Sequence, residues 1–344
     1  MAKKEQEKVT AMPMVPMGYC MLDTQVAGHT FEATNAAAVG LLQDAGEGRV
    51  FKPLGKPECG VRELNFYESL AAAIATQAGA SPPAANNLNL NGTAGGGEGH
   101  SETDLSLLAD LAAHVPRYYG QLKLVVNQRE HTFIKLEDLT HGMARPCVMD
   151  VKIGRRTWDP LSSAHKREIE EQKYVVCKQN LGLCLPGFQV YQPDEQQPGQ
   201  SVLIRQGRDY GKSLDVAGFH KALAQFFNVN CQASDVLLRE VLCQLRSIRA
   251  WFKRQRLLHF YASSLLICYD FEQLQRLAKG GSSSKQLSNG YHPDPALPTT
   301  ANQWIRVRCI DFAHIFPAED AQPDHNYMFG LQSLIDIVET MLHR

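Results

Sequence analysis

Residues 146 to 154 read Pro-Cys-Val-Met-Asp-Val-Lys-Ile-Gly, an acid and a base two residues apart in an apolar run. Alternate side chains of an extended segment share a face, so Asp150 and Lys152 point to the same side. One can hold a ribose or a metal while the other holds a phosphate. The alternative is an edge-strand ion pair, worth little on a surface. The flanking Val, Met and Ile residues imply burial, and buried charges are uncommon without partners. A further carboxylate, Asp311, follows the strand-like run that ends Cys309-Ile310. Phosphotransferases place a metal-binding Asp in such a setting. Together the two segments suggest transfer of a phosphoryl group.

Other charged groups fit that chemistry. Lys52 sits on a strand pattern and Glu63 follows eleven residues later on a helix pattern. A strand lysine that reaches nucleotide phosphates is paired with a helix glutamate in kinase-like lobes. Two solvated surface charges are the alternative. The segment Lys135 to His141 follows a strand and precedes a glycine. It reads either as an acidic turn or as a crossing between lobes, where backbone groups can reach an adenine edge. Lys166 and Lys173 are seven apart, so on one helix they share a face. They would form a phosphate cradle beside Lys152, or Lys166 and Glu170 would make an i,i+4 pair on a solvated helix. His314, three residues after Asp311, borders the same region or simply packs. There is no Gly-x-Ser-x-Gly elbow, G-x-G-x-x-G, Walker A loop or His-Arg-Asp. That excludes an ordinary protein kinase, a P-loop enzyme and a serine hydrolase.

The elements that must position these groups are legible in outline. The 344 residues suffice for two lobes with real cores. Strand and turn patterns over Met21–Leu54, with a hairpin at Gly46-Glu47-Gly48, precede a helix over Arg62–Ala75. A helix over Leu105–His114 and strands at Gln121–Asn127 and Thr132–Glu137 complete an α+β first lobe. In the second, Ser162 or Ser163 caps a helix to about Cys177. Gly187–Gln192, Ala262–Tyr269 and Trp304–Phe312 read as strands. Ser234 caps a helix to about His259 with Val236, Leu237, Val241, Leu245, Ile248 and Phe252 as its buried stripe. Met328–Leu342 is a closing helix. Two low-complexity stretches, about 77–103 and 280–300, lack apolar residues and are read as mobile surface insertions.

Composition narrows the setting. The formal net charge of −1 gives no global attraction to nucleic acid or membrane, so an anionic substrate needs a local basic cluster. No stretch approaches about 18 apolar residues, so no membrane span is expected, and no secretion signal is expected from the charged start. Nine cysteines without a CxxC pair suit reduced thiols in a cytosolic or nuclear compartment.

Pro146-x-x-x-Asp150-x-Lys152-x-Gly154 resembles the signature of the inositol polyphosphate kinases. Ser263-Ser264-Leu265-Leu266 and Ile310-Asp311-Phe312-Ala313-His314 resemble that family's other two motifs, in the same order. The resemblance runs from about Gln25 to the end, including Gln25-Val26-Ala27-Gly28-His29 and Tyr210-Gly211-Lys212-Ser213-Leu214, and is strongest to the multikinase branch. It implies an α+β, two-lobed, protein-kinase-like (ATP-grasp-like) fold with antiparallel sheets and a short helical inositol-binding insertion. A tail over 1–24, an N-lobe over 25–139 and a C-lobe over 140–344 with the inositol-binding helix at about 159–177 are expected. The implied activity is ATP- and Mg²⁺-dependent phosphorylation of Ins(1,4,5)P3 and InsP4 towards InsP5, with the lipid PtdIns(4,5)P2 as a further candidate. A strict inositol-trisphosphate 3-kinase and a non-catalytic phosphoinositide-binding scaffold are the alternatives. By the same resemblance, Lys52 binds ATP phosphates with Glu63 positioning it. Glu137 and Leu139 offer backbone groups to adenine, and Asp150 holds the ribose. Lys152 bridges the transferred phosphate and the inositol hydroxyl, and Asp311 binds the metal with Ser264 nearby. Lys166 and Lys173 hold substrate phosphates and His314 borders the inositol. A monomer in the nucleus and cytoplasm is expected, with inositol phosphates as partners and no nucleic acid.

Overall fold

A computed structural model of the chain describes residues 13–280 and 304–343, apart from 33, 34, 36, 37, 45, 81–100, 195 and 198. The first lobe runs β1 (Tyr19–Met21), β2 (Leu42–Asp44), β3 (Arg49–Pro53), α1 (Pro57–Gln77), α2 (Glu102–Leu111), β4 (Tyr118–Val126) and β5 (Arg129–Glu137). Its five strands form an antiparallel sheet in the order β1-β2-β3-β5-β4. Asn127 and Gln128, both at positive φ, join β4 to β5. Two such residues make the tight turn that matches strand twist. β4 therefore ends at Val126, and Asn127 belongs to the turn rather than to the strand expected over 121–127. α1 begins earlier than Arg62 because Pro57 presets the φ of its first turn. α2 starts in a reciprocal capping box between Ser101 and Asp104.

The second lobe follows with β6 (Pro146–Ile153), α3 (Ala164–Glu171), α4 (Val175–Leu181), β7 (Leu183–Pro193), β8 (Ser201–Gln206), α5 (Arg208–Ser213), α6 (Val216–Phe226), α7 (Ser234–Arg254), β9 (Leu258–Phe260), β10 (Ser264–Asp270), α8 (Phe271–Ala278), β11 (Ile305–Ile310), β12 (Ile315–Pro317) and α9 (His325–Leu342). Its main sheet is also five-stranded and antiparallel, ordered β11-β10-β6-β7-β8. β6 is its central strand, which is why Val148, Met149, Val151 and Ile153 are wholly buried. α7 packs its Leu237, Val241, Leu245, Ile248 and Phe252 into the core, and Phe252 stacks on Tyr327 of α9 with ring centroids 4.2 Å apart.

Several expectations are corrected. The helix expected to run to about Cys177 is broken in two. Ser163 does cap its start, accepting from the Lys166 amide, but α3 stops at Glu171 and Tyr174 lies in the left-handed region. None of α3's side chains is buried, so no apolar face carries the helix onward. Ser234 does not cap α7; its hydroxyl donates to the Val229 carbonyl, and Val236 is exposed. α7 ends at Arg254 and not near His259. β1 lies within the stretch expected to be a tail, yet pairs with β2. Gln77 and residues 102–103 are helical. Most of the two expected insertions, 81–100 and 281–300, lies outside the described residues.

Candidate active site

Strand register explains how residues far apart in sequence meet. Lys152 on β6 lies opposite Ser264 on β10, and Ser264 lies opposite Ile310 at the end of β11. Asp311 is the next residue, so Lys152, Ser264 and Asp311 sit at one level across three neighbouring strands. Asp150 stays on the same face despite a register shift between β6 and β7 at this point. The chain leaves β11 with Asp311 at φ 64, a left-handed conformation that costs of order 1 kcal/mol or more outside glycine. Phe312 anchors that turn. Its buried ring packs on Phe66 (4.3 Å between centroids) and Tyr67 (5.4 Å) of α1. Arg62 ties the turn down further by donating to the Ala313 carbonyl at 2.6 Å.

This turn closes the cleft between the lobes. Lys52 Nζ, on β3, lies 2.7 Å from Glu63 Oε1 and 2.6 Å from Asp311 Oδ1. The same Glu63 oxygen accepts from the Phe312 amide at 3.0 Å, so one carboxylate fixes both the lysine and the Asp311 turn. Burial disfavours the Lys52 charge, but Asp311 and Glu63 outweigh it and hold its pKa above the ordinary lysine value. Lys152 Nζ donates to the Ala262 carbonyl at 2.6 Å, which points the ammonium into the cleft. Asp150 is 5 % exposed; its Oδ1 and the buried Ser264 hydroxyl make no hydrogen bond of ordinary geometry, although Ser264 lies close enough to favour the charged carboxylate. Desolvation, and then the neighbouring Asp311 charge, push the Asp150 carboxyl up to about 6. Burial also opposes the Asp311 charge, but Lys52 and then Lys152 keep its pKa below the usual carboxylate value.

Two carboxylates and a buried hydroxyl, all oxygen donors, suit a hard divalent cation. Among the described residues no group of three or more His, Cys, Asp or Glu side chains is gathered to cage a metal. A cation here would therefore complete its shell with oxygens of a phosphorylated ligand, the usual pattern for Mg²⁺. It would also relieve the repulsion between Asp150 and Asp311.

The rest of the cleft, a cavity of about 660 Å³, collects the other expected residues. Glu137 and Leu139 line one end. There the Leu139 carbonyl accepts from Arg306 Nη1 at 2.7 Å and the Glu137 amide donates to the Arg117 carbonyl at 2.9 Å. Leu139 would thus meet a base through its N–H. Lys166, Lys173 and His314 line the cleft as well. Lys173 lies beyond the end of α3, so the two lysines do not share one helix face as expected; the bend after Glu171 still brings both to the cleft. Nor does Lys166 pair with Glu170. Lys166 Nζ is 3.9 Å from Asp159 Oδ2, while Glu170 pairs with Lys173 at 2.7 Å. α3 is held by polar clips. Arg167 donates to the Ser162 and Pro160 carbonyls, Trp158 Nε1 to Glu171, and the buried Lys178 ammonium to the Glu170 carbonyl.

Three charged residues here were missed by the sequence reading. Arg208 and Lys212 of α5 line the cleft across from α3. Their signal was the pair of cations four apart within Arg208-Asp-Tyr-Gly-Lys212, which places both on one face. Asp159 contacts His314, and nothing in its local pattern marks it out.

The fold and site together define a two-lobed phosphotransferase, with a lysine–glutamate pair from one lobe meeting carboxylates of the other across a cleft. The inositol polyphosphate kinase family model matches residues 133–339, and the chain belongs to that family. It is an enzyme of the phosphotransferase class. The chain is 32 % identical to mouse inositol polyphosphate multikinase, over 96 % of this chain and 95 % of the relative. It is 31 % identical to mouse inositol hexakisphosphate kinase 1, over 62 % of this chain and 53 % of that one. Among solved structures, the inositol phosphate multikinase Ipk2 of S. cerevisiae, in complex with ADP and Mn²⁺, shares the fold with a TM-score of 0.57. It is 19 % identical and aligns over 86 % of this chain and all of that one.

Proposed function

We propose that this chain transfers the γ-phosphoryl group of ATP to hydroxyls of Ins(1,4,5)P3 and InsP4, ending at InsP5, and that the headgroup of PtdIns(4,5)P2 is a further acceptor. The single observation that carries this reading is the convergence of Lys52, Asp150, Lys152 and Asp311 on one cleft that Lys166, Lys173, Arg208 and Lys212 also line. In this reading Lys52, set by Glu63, holds the nucleotide phosphates, while the Glu137–Leu139 backbone takes the adenine and Asp150 the ribose. Asp311, with Ser264 beside it, holds the divalent metal, which supplies charge neutralisation at the phosphates. Lys152 bridges the transferred group and the acceptor hydroxyl. Phosphoryl transfer through a loose transition state asks the protein for positioning and charge stabilisation above all. An inositol trisphosphate carries roughly −5 charge, which Lys166, Lys173, Arg208 and Lys212 meet once it displaces their partners Asp159, Glu170 and Asp209.

The ADP- and Mn²⁺-bound state of the yeast multikinase supports a nucleotide and a divalent metal as ligands. All nine cysteines are free thiols, which supports residence in the nucleus and cytoplasm, where a monomer would act. No helix of the described residues is long and apolar enough to cross a membrane. The test is incubation with Mg-ATP and a panel of inositol phosphates, with products identified by NMR. Conversion of Ins(1,4,5)P3 to InsP4 and then InsP5 is expected. Phosphorylation at the 3-position alone would make the chain a strict 3-kinase. Turnover of none of the panel would overturn the reading.

A further inference from the structure

His314 and Asp159 form a side-chain pair at the cleft. His314 Nδ1 lies 2.5 Å from Asp159 Oδ2, although the two residues are 155 positions apart. Asp159 is 5 % exposed, and its other oxygen accepts from the buried Ser162 hydroxyl at 3.1 Å, so both of its oxygens are engaged. The imidazole is held from its backbone as well, because the His314 carbonyl accepts from the Tyr261 amide at 3.1 Å. A histidine bound to a carboxylate through one ring nitrogen has its tautomer fixed. Nδ1 keeps the proton and Nε2 keeps a lone pair. His314 lines the same cleft as Lys152, Lys166 and Asp311, and its Nδ1 is turned towards the wall. Nε2 is the nitrogen left for a ligand.

Resting on the kinase reading above, we propose that His314 is the proton acceptor for the attacking inositol hydroxyl and that Asp159 is its positioning residue. As the hydroxyl oxygen bonds to the γ-phosphorus, its proton passes to Nε2. The bond from that phosphorus to the bridging oxygen of ADP breaks, and ADP leaves with the electron pair. Asp159 then stabilises the imidazolium, which returns its proton to solvent after product release. Asp150 is poorly suited to this duty. In the kinase reading it is already taken by the ribose, beside the metal-binding Asp311. The Asp159 carboxyl, in contrast, is ionised and oriented. Desolvation pushes its pKa up, but the His314 hydrogen bond, with Ser162 and Lys166, brings it down to about 2.

The charged groups around the imidazole are Asp159 before α3, Lys166 on α3, Asp311 after β11 and Arg62 of α1, whose guanidinium donates to the Ala313 carbonyl. Of these Asp159 is hydrogen-bonded to the ring. The test uses the full chain with saturating Mg-ATP and measures kcat and kcat/KM for Ins(1,4,5)P3 between pH 5 and 8.5. His314→Gln keeps a hydrogen-bonding side chain of similar reach; its kcat is expected to fall about 100-fold with KM changed little. The low-pH limb of kcat, which reports the enzyme–substrate complex and not the free substrate phosphates, should shift with it. Asp159→Asn keeps an acceptor for the loop but removes the negative charge. An imidazolium without its counter-charge loses its proton more readily, so the limb is expected to move to lower pH, with a smaller fall in kcat. Circular dichroism and melting temperature check that both variants fold. A His314→Gln protein with raised KM and unchanged kcat would make the histidine a phosphate ligand and overturn the proposal. A low-pH limb of kcat left unchanged by the substitution would overturn it as well. Failure of the wild-type chain to turn over any inositol phosphate would instead overturn the kinase reading.

Discussion

Lys152 and Asp150 lie two residues apart and carry opposite consequences for substitution. Lys152 is held by a single carbonyl and points into the cleft where transferred charge develops. Removing one preorganised electrostatic donor of this kind costs about 3–4 kcal/mol at the transition state, so Lys152→Ala is expected to lower kcat by roughly 10²–10³ at saturating substrates. Steady-state turnover checks this, and near-normal kcat would remove Lys152 from the transfer step. Asp150 works against the fold. Its carboxyl titrates near 6 in the folded chain, against about 4 in an unfolded one, because desolvation and then Asp311 oppose its charge. Between those values the folded state binds more protons than the unfolded state, so this group's contribution to stability falls as pH rises from about 4 to about 6. Asp150→Asn is therefore expected to stabilise the ligand-free protein at pH 7 by on the order of 2 kcal/mol and to lose that advantage below about pH 4, while it impairs turnover. Thermal melts across that range check it; equal melting temperatures for both forms at pH 7 would contradict the assignment.

Single elements set where the two lobes meet. Arg306 on β11 reaches back across the sheet, with its guanidinium 3.4 Å from the Asp138 carbonyl, 2.7 Å from that of Leu139 and 3.3 Å from that of His141. One side chain thus fixes three carbonyls of the segment that joins the lobes and that would meet the adenine. Arg306→Met keeps the aliphatic bulk and removes the clamp. A lost hydrogen bond from a charged donor is worth about 1.5 kcal/mol or more, so KM for ATP is expected to rise about tenfold with kcat at saturating ATP largely kept. Kinetics with ATP and the inositol varied separately would check this, and a fall in kcat alone would move Arg306's role elsewhere. No sequence pattern announces such a clamp, because it depends on β11 lying beside β10 and on the crossing segment passing over its end. α1 and α7 were legible because each has one strongly buried face, and β6 and β10 because they are buried through most of their length. α3 was misread for the converse reason. It has no buried face, so its end is set by Tyr174's left-handed backbone and by Lys178 reaching back from α4, and neither has a periodic signature. Asp150, Lys152 and Asp311 were legible as charges out of place in apolar runs, whereas Arg208, Lys212 and Asp159 lie in polar surroundings where one more charge is unremarkable.

At the scale of the whole molecule, charge is arranged and not accumulated. The chain carries a formal net charge of −1, yet one cleft gathers Lys52, Lys152, Lys166, Lys173, Arg208 and Lys212. Several of these ammonium groups are occupied by acids of the chain itself: Lys173 by Glu170, Lys212 by Asp209 and Lys52 by Glu63 and Asp311. A polyphosphate must displace or outbid those partners, and the neighbouring carboxylates then disfavour ligands of low charge. Binding of a highly charged inositol should therefore be governed by the local cluster and screened by salt, since the Debye length shrinks from about 10 Å at 0.1 M to about 3 Å at 1 M ionic strength. Fold stability should respond weakly, because a near-neutral chain has little global self-repulsion to screen. Raising sodium chloride from about 0.05 to 0.5 M is expected to raise KM for Ins(1,4,5)P3 about tenfold while the melting temperature barely moves. Arg208→Gln with Lys212→Gln should flatten that salt dependence, because the cations being screened are then fewer. Kinetics at constant Mg-ATP and a parallel thermal melt measure both, and a KM indifferent to salt would mean that this cluster does not hold the substrate's phosphates.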